Sequence, residues 1–275
     1  MDLNTITEIS RPENRDELQA WRAGDAWLAG GTWLFSEPRP ALTRLIDLVG
    51  LGWPALEIGD GGLRVGATCT LAQLAAAEFP PAWRAAPLFR QCCRALLGSF
   101  KIWNAATVGG NLCMALPAGP MAALTAALDG VCAIWTPDGA ERRVPVLDFI
   151  TGPQQNALRS GEVLRAVELP LEAVCRRTAF RQISLTPLGR SAALLVGALT
   201  ETGAFAVTVT AATRRPARLD FPVIPDCGEL RDALDRAIPE AMYYDDEHGA
   251  PEWRRHVTFR LAEQLRRELS ETAAA

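Results

Sequence analysis

Short apolar runs bounded by glycine, proline or charged residues recur through the first two thirds of the chain, a pattern typical of strands. The runs predict strands at 25–29, 45–48, 63–67, 131–136, 142–146 and 162–169. Between them, Thr70 and Gln73 form a capping-box pattern that predicts an Ala-rich helix through Glu78. Further helical segments are expected at 85–97 and 125–128. Strands and helices mixed in this way predict an α+β fold.

The C-terminal third has a different pattern. Two apolar runs at 193–199 and 205–211 predict strands joined by a tight turn, and helices are expected at 229–238 and 252–269. In the last helix Glu263 and Arg267 are expected to pair on the outside. Its apolar residues recur every four positions and form one stripe, and they are Trp253, Val257, Leu261, Leu265 and Leu269.

A boundary is therefore expected near residue 172, between a domain at 1–172 and a C-terminal domain at 173–275. The first domain is expected to divide into subdomains at roughly 1–55 and 56–172. Both domains are large enough to bury a core of their own.

Charge and cysteine content narrow the class of protein. The 28 basic and 32 acidic residues give a net charge of −4, without a basic block that would follow a polynucleotide. Seven cysteines without a C-x-x-C pair, and only two histidines, favour reduced thiols over disulfides or a metal site. The opening Met1-Asp2-Leu3-Asn4 has no basic signal region, and no apolar run reaches membrane-spanning length. These features predict a cytoplasmic protein with no nucleic-acid partner and no membrane span.

Three Gly-Gly pairs occur in settings that differ. Gly61-Gly62 follows Asp60 before a strand and predicts a hairpin turn. The other two pairs lie in longer frames, at 28–34 and 107–112, and each joins an apolar stretch to a hydroxyl or amide side chain. Residues without a Cβ allow successive backbone N–H groups to approach an anion. Each frame alone is more often a structural turn, but two in one chain favour a shared diphosphate ligand.

The two frames resemble those of a known family. Residues 28–34 and 104–112 resemble the AGG[TH]xL and T[IV]GGN loops of the FAD-binding medium subunits of molybdenum hydroxylases, the xanthine dehydrogenase and carbon monoxide dehydrogenase type. The similarity continues through most of the chain. It includes Val65-Gly66-Ala67-Thr68, Val144-Pro145-Val146-Leu147-Asp148-Phe149, the 162–170 segment, Asp246-Glu247-His248-Gly249 and Trp253-Arg254-Arg255-His256.

The resemblance implies a two-part FAD-binding domain of the vanillyl-alcohol-oxidase-like type, followed by a small α+β C-terminal domain. It also implies an oxidoreductase subunit that takes electrons from a [2Fe-2S] subunit and passes them from FAD to NAD⁺, a quinone or O₂. The molybdenum cofactor would lie on a large subunit, and the assembly would be a dimer of heterotrimers in the cytoplasm. Two alternatives remain open, which are a stand-alone flavin oxidase of the same superfamily and a flavin-free interaction module.

The family's site residues carry over by position. The first loop would bind the diphosphate and the flavin, with Gly30, Gly31 and Thr32 donating to phosphate oxygens. Leu164 would pack against a ring of the cofactor, and Arg181 would place a cation near the isoalloxazine. The full set of expected cofactor-binding residues is Leu28, Ala29, Gly30, Gly31, Thr32, Trp33, Leu34, Ala106, Thr107, Val108, Gly109, Gly110, Asn111, Leu112, Ala115, Leu164 and Arg181.

Some positions depart from the family. No acid occurs at 115–120, where the family often has one that reaches the ribose, and Ser191-Ala192-Ala193 replaces a triplet that lies beside the flavin ring. Other conspicuous residues have simpler structural interpretations. His256 is expected as a hydrogen-bonded residue at the core boundary, Cys92-Cys93 as a buried pair, and the acidic stretch 245–247 as a solvated loop.

Overall fold

A computed structural model describes residues 3–18 and 21–274 of the chain, so Met1 and Asp2 of the opening segment lie outside the described residues. The strands are β1 (Glu8–Ser10), β2 (Asp25–Leu28), β3 (Arg44–Asp47), β4 (Leu56–Gly59), β5 (Gly62–Gly66), β6 (Val131–Trp135), β7 (Glu141–Pro145), β8 (Ile150–Gly152), β9 (Gln155–Asn156), β10 (Val163–Pro170), β11 (Arg177–Ile183), β12 (Ala193–Leu199), β13 (Phe205–Thr210) and β14 (Ala217–Phe221). The helices are α1 (Leu71–Ala76), α2 (Ala86–Ala95), α3 (Phe100–Ala105), α4 (Val108–Met114), α5 (Pro120–Ala127), α6 (Val146–Phe149), α7 (Leu171–Val174), α8 (Cys227–Ala237) and α9 (Pro251–Ala274). None of these described helices is long and apolar enough to cross a membrane.

A small parallel sheet in the order β1-β3-β2 begins the fold. An ion pair joins the first residues of β2 and β3, Asp25 and Arg44. Arg44 Nε donates to Asp25 Oδ1 at 2.8 Å, and Arg44 Nη2 donates to Asp25 Oδ2. The side chain of Arg44 is 2% exposed and that of Asp25 is 0% exposed. Two buried charges in bidentate contact fix β2 against β3, and thereby fix the point at which the chain leaves β2.

A five-stranded antiparallel sheet, in the order β4-β5-β10-β6-β7, is covered by helices that form the main hydrophobic core. The β4–β5 hairpin confirms the turn predicted from Gly61-Gly62, and the predicted strands β6 and β7 pair as a second hairpin around Pro137-Asp138-Gly139. Strand β10 has a register shift between Leu164 and Ala166. Helix α4 lies against β10 and β5, so it starts at the edge of this core.

The C-terminal sheet, in the order β11-β12-β13-β14, lies between two cores. Strand β12 is buried along its whole length. Its successive side chains point to opposite faces of the sheet, and each face is covered by a core. Leu194 and Val196 join the main core, where α5 packs, and Leu195 and Leu199 join a second core under α8 and α9. The apolar run at 193–199 thus reflects a strand that is covered on both faces.

Most predicted elements occur, with shifted ends. The capping box at Thr70 and Gln73 is present, and Glu263 pairs with Arg267 as expected. Residues 107–112, which resemble a family loop, begin helix α4 with Thr107 as its N-cap, and helix α3 before it has no counterpart among the predicted elements. Helix α5 also begins five residues before the predicted segment at 125–128. Two glycines lower the intrinsic helix propensity of α4, so tertiary packing decides its conformation.

The buried ion pair gives a stability prediction. Asp25→Asn should lower the free energy of unfolding by about 3–5 kcal/mol, because it removes the buried carboxylate that compensates the Arg44 charge and leaves Arg44 with the longer contact to Glu8 Oε1, at 3.6 Å. Arg44 lowers the pKa of Asp25 below its ordinary value of 3.8. This contribution is therefore present above that value and is lost as the pH falls through the lowered pKa.

Urea unfolding of the wild type and of Asp25→Asn, measured from pH 7 down to acidic pH, checks this. The gap between the two proteins should narrow below the ordinary pKa of Asp25. Arg143→Ala is the control, because Arg143 pairs with Glu168 at the surface and is 57% exposed. A gap at pH 7 no larger than that of the control would contradict the prediction.

Candidate functional site

The first glycine segment follows β2 directly. Gly31 has a φ of +69°, which a residue without a Cβ adopts without strain. The Phe35 N–H donates to the Gly31 carbonyl oxygen at 2.8 Å, and the Ser36 N–H donates to the Trp33 carbonyl oxygen at 3.0 Å. Residues 31–36 therefore form a compact turn at the carboxyl end of a parallel strand.

This turn presents unpaired backbone donors. The N–H groups of residues 30–34 donate to no acceptor among the described residues of the chain. Successive free N–H groups that start at a left-handed glycine form a concavity of partial positive charge, and anions bind in such concavities. The turn therefore fits a phosphate or diphosphate without any cationic side chain.

The second glycine segment has a different structure. Thr107 is the N-cap of α4, and its Oγ1 accepts from the Gly110 N–H at 3.0 Å. The N–H groups of Val108 and Gly109 donate to carbonyl oxygens of residues 69 and 67, and the Asn111 N–H donates to the Thr107 carbonyl oxygen. The expected second set of free N–H groups is thus absent at residues 108–111, because the Thr107 cap and the segment that follows β5 satisfy them.

The two segments nevertheless meet. A Cβ on Gly30 would lie 1.6 Å from the carbonyl oxygen of Ala105, the last residue of α3. A Cβ on Gly109 would lie 2.5 Å from the Cβ of Ala67. Gly110 differs, because beyond its chain neighbours and its own helix backbone, the one described atom within 4 Å of its Cβ position is Thr107 Oγ1, at 2.9 Å. Gly30 and Gly109 therefore permit close packing, whereas Gly110 leaves an open face.

Two side-chain donors accompany this backbone. Trp33 Nε1 is buried and has no hydrogen-bond partner among the described residues. Asn111 Oδ1 accepts from the Met121 N–H at 3.0 Å, and no described group accepts from its Nδ2. A buried donor without an acceptor costs free energy, so the indole N–H of Trp33 favours a ligand acceptor.

The remaining expected site residues are less accessible. Leu164 is 2% exposed and lies in the main core, which leaves almost no surface for a cofactor ring. Val108, Leu112 and Ala115 are also buried there. Arg181 lies on β11. Its Nη2 donates to Glu268 Oε2 at 2.5 Å, and its Nη1 donates to the Phe180 carbonyl oxygen at 2.9 Å. Among the described hydrogen bonds of Arg181, none reaches either glycine segment, so its role near a flavin stays a prediction.

One position that departs from the family, Ser191-Ala192-Ala193, is held by a buried arginine. Arg254 is 1% exposed, and its Nη1 donates to the carbonyl oxygens of Ala192 and Ala211, each at 2.6 Å. Its Nη2 donates to Asp246 and its Nε to the Gly249 carbonyl oxygen. Ala192 is 0% exposed, so its side chain opens no space beside a ligand.

Arg254 also corrects the interpretation of the acidic stretch. Asp246 is half-buried and anchors α9 through Arg254, so only part of the stretch is solvated. Asp246, Glu247 and His248 each have an atom that could bind a metal ion, and these atoms lie within 4.8 Å of one another. Asp246, however, accepts a hydrogen bond from Arg254. His256 was expected to be hydrogen-bonded, and instead it is exposed and makes no hydrogen bond with the described residues.

The cysteines do not supply reactive groups to the site. All seven are free. Burial raises the pKa of Cys69, Cys93 and Cys113 to about 12, so these thiols stay protonated at neutral pH. The site is therefore a binding site built from backbone and amide donors.

Comparison with known proteins agrees with this description. The family model described as "FAD binding domain in molybdopterin dehydrogenase" matches residues 5–172. The putative xanthine dehydrogenase FAD-binding subunit XdhB of Escherichia coli (strain K12) is 35% identical over 111 residues, which are 40% of this chain and 37% of the relative. The xanthine dehydrogenase FAD-binding subunit of Escherichia coli O157:H7 is 34% identical over the same shares. The matched stretch is thus little more than a third of either relative.

Solved structures share the fold over the whole chain. A chain of quinoline 2-oxidoreductase from Pseudomonas putida 86 has a TM-score of 0.80 at 21% identity and covers 100% of both chains. A chain of reconstituted CO dehydrogenase from Oligotropha carboxidovorans has a TM-score of 0.78 at 23% identity, covering 100% of this chain and 99% of that one. These similarities show the α+β fold predicted from the sequence.

The glycines of the two segments should respond differently to a methyl group. Gly30→Ala should destabilise the protein by about 1–3 kcal/mol or more, because its Cβ overlaps the Ala105 carbonyl oxygen. Gly110→Ala should stay within about 1 kcal/mol of the wild type, since helix propensity offsets the strain on the Thr107 cap. Gly110→Ala should nevertheless lose FAD if the cofactor lies over the open face.

Thermal unfolding and the FAD content after purification measure both effects. Gly61→Ala serves as a control at a glycine in the β4–β5 turn, because it has no left-handed φ and no described atom beyond its chain neighbours lies within 4 Å of its Cβ position. If Gly110→Ala kept its full FAD content at normal stability, the open face would not be a cofactor surface.

Proposed function

Because the chain belongs to the family of FAD-binding domains in molybdopterin dehydrogenases, we propose that it is the FAD-binding electron-transfer subunit of a molybdenum-containing hydroxylase. It would take electrons from a [2Fe-2S] subunit and pass them from FAD to NAD⁺, a quinone or O₂. The oxidised substrate would bind at a molybdenum cofactor on a large subunit. The complete assembly would be a dimer of heterotrimers in the cytoplasm.

The observation that carries the proposal is the turn at residues 30–34, whose five backbone N–H groups have no acceptor among the described residues. Gly30 of this turn contacts Ala105 at the end of α3. Gly110, with its open face, follows α3 in the first turn of α4. A diphosphate placed there would gain several charge-assisted hydrogen bonds from a rigid backbone. The match of the family model from residue 5 to 172 includes both segments.

The chain's own groups would bind and orient the cofactor. Bound FAD would supply the redox chemistry, since it accepts and releases electrons. The N–H groups of residues 30–34 would donate to the diphosphate oxygens, and Trp33 Nε1 and Asn111 Nδ2 would donate to further polar atoms of the cofactor. Electron transfer needs no proton donor or nucleophile from the protein, which agrees with a site made of neutral donors.

Two features support partner subunits. The cysteines are dispersed without a C-x-x-C pair, so the sequence lacks the ligand spacing of an iron–sulfur cluster. Cys69, Cys92, Cys93 and Cys132 instead lie buried in the main hydrophobic core. Electrons would then reach the flavin from a cluster outside these 275 residues, and the free cysteines suit a reducing compartment.

Purification of the full chain, alone and co-expressed with its candidate partner subunits, tests the proposal. The chain should be yellow, should release FAD on denaturation, and should co-elute with molybdenum and iron–sulfur subunits. A colourless chain that never acquires FAD would contradict the proposal. A yellow chain that oxidises a small molecule without partners would instead support the stand-alone oxidase.

Trp33 provides a finer prediction. Trp33→Phe should weaken FAD binding about tenfold, the equivalent of one hydrogen bond worth about 1.4 kcal/mol. The FAD-free protein should be as stable as the wild type, because the substitution removes a buried donor that has no described partner. Titration of apoprotein with FAD, followed by quenching of flavin fluorescence, gives both dissociation constants.

Trp27→Phe is the matched control. Trp27 Nε1 donates to the Glu162 carbonyl oxygen at 2.9 Å, so this variant should lose about 1 kcal/mol of stability and keep its FAD affinity. Equal FAD affinity of Trp33→Phe and the wild type would remove the indole N–H from the binding site.

A further inference from the structure

The charges are unevenly distributed along the sequence. Residues 79–128 contain no Asp or Glu, although the chain has 32 acidic residues. The same stretch contains four basic residues, Arg84, Arg90, Arg94 and Lys101. An acidic protein therefore has one region that is purely cationic, and this region includes α2 and α3.

Three of these four cations are unpaired. Arg84 pairs with Glu201 at 3.0 Å. Arg90, Arg94 and Lys101 are exposed, and within the described part of the chain no carboxylate lies in salt-bridge range of them. Arg90 Nε makes only a 3.4 Å hydrogen bond to the Ala75 carbonyl oxygen. Their charge is thus available to a group outside the chain.

Exposed apolar residues alternate with these cations along the sequence. Leu97 is 47% exposed, Phe100 is 73% exposed and Ile102 is 37% exposed. Trp103 Nε1 donates to the Leu96 carbonyl oxygen at 3.3 Å and holds α3 against the end of α2. We name Arg90, Arg94, Leu97, Phe100, Lys101 and Ile102 the α2–α3 surface.

A groove extends the α2–α3 surface toward α1. It encloses about 410 Å³ between α1 and α2, and Phe79 and Phe89 line it together with Arg90 and Arg94. Protein interfaces combine apolar contacts at their centre with charged groups at their rim. A groove and protruding apolar side chains, bordered by unpaired cations, have this composition.

The α2–α3 surface adjoins the proposed flavin site. Helix α3 begins at Phe100 and ends at Ala105, whose carbonyl oxygen is in contact with the backbone of Gly30. A protein bound on α3 therefore lies one short helix away from the turn with the free N–H groups. Electron transfer requires close approach of donor and acceptor, so this is a suitable position for an electron donor.

We propose that the α2–α3 surface binds an acidic face of the electron-donating iron–sulfur subunit, with apolar side chains of that subunit in contact with Phe100 and Ile102. The inference rests on the proposed function, because it names the partner for the same site. Asp and Glu side chains on the partner would pair with Arg90, Arg94 and Lys101. Nucleic acid fits less well, since exposed Phe100 and Ile102 would then interrupt a small cationic area.

Charge reversal tests the surface in the co-expressed complex. Arg90→Glu/Arg94→Glu/Lys101→Glu should weaken binding of the iron–sulfur subunit at least about tenfold at low salt, and should leave the FAD content unchanged. The control is Arg231→Glu/Arg236→Glu/Arg260→Glu, the same charge change at exposed arginines of α8 and α9. Unchanged binding of the triple variant, or equal weakening by the control, would overturn the proposal.

Lys101 offers a second measurement, because it is the only lysine in the sequence. A carbodiimide joins lysine amines to carboxylates that lie in direct contact, so every lysine cross-link from this chain must come from Lys101. A Lys101 peptide joined to an Asp or Glu of the iron–sulfur subunit supports the proposal. Lys101→Arg should abolish the cross-link and leave the complex intact.

The outcomes distinguish a failure of the proposed function from a failure of the α2–α3 surface as a binding site. A cross-link from Lys101 to the molybdenum subunit or to a second copy of this chain would overturn the assigned partner. An intact wild-type complex without any Lys101 cross-link, unaffected by charge reversal, would overturn the surface. A chain that never binds FAD, or a flavinated chain that binds no partner subunits, would refute the proposed function itself, whereas an intact flavinated complex that tolerates charge reversal would refute only this inference.

Discussion

The close contact between Gly30 and the carbonyl oxygen of Ala105 is the constraint on which the site depends. A Cβ at residue 30 would lie 1.6 Å from that oxygen, so only glycine permits the approach. The contact joins the parallel N-terminal sheet to the helical layer of the five-stranded sheet. It places the free N–H groups of residues 30–34 beside α3 and near the start of α4. The buried pair of Asp25 and Arg44 holds β2, from which this turn emerges.

The three Gly-Gly pairs of this chain have different structural roles. Gly61-Gly62 makes the β4–β5 hairpin, Gly30-Gly31 makes a turn with unpaired donors, and Gly109-Gly110 lies inside the first turn of α4. The hairpin was predictable because its determinants, Asp60 and the flanking strands, are adjacent in the sequence. The roles of the other two pairs depend on Ala105 and Ala67, which approach them only in the folded chain. The same limit explains why residues 108–111 were expected to offer free N–H groups.

The C-terminal sheet shows a related limit. The apolar run at 193–199 predicted a strand correctly, and its burial on both faces follows from α5 on one side and α9 on the other. The periodicity of α9 located its buried stripe and its pair of Glu263 and Arg267. Arg254 lies on the same helix and binds Ala192, Ala211 and Asp246. The periodicity of the helix did not predict these three contacts, because they join segments distant in the sequence. The domain boundary near residue 172 stays a prediction.

The sequence by itself determined the α+β class, the capping box at Thr70, the hairpins and the two glycine frames that resemble a flavoprotein family. These features depend on neighbours within a few residues, so local propensity and periodicity suffice. Only the tertiary structure decided which N–H groups remain free, that the Trp33 indole N–H is buried without a described partner, and that unpaired cations adjoin exposed apolar side chains on α2 and α3. These properties are set by whether an acceptor, a carboxylate or an apolar neighbour from a distant segment lies within contact distance. Folding decides that, because it brings segments such as β2 and α3 together although they lie far apart in the sequence.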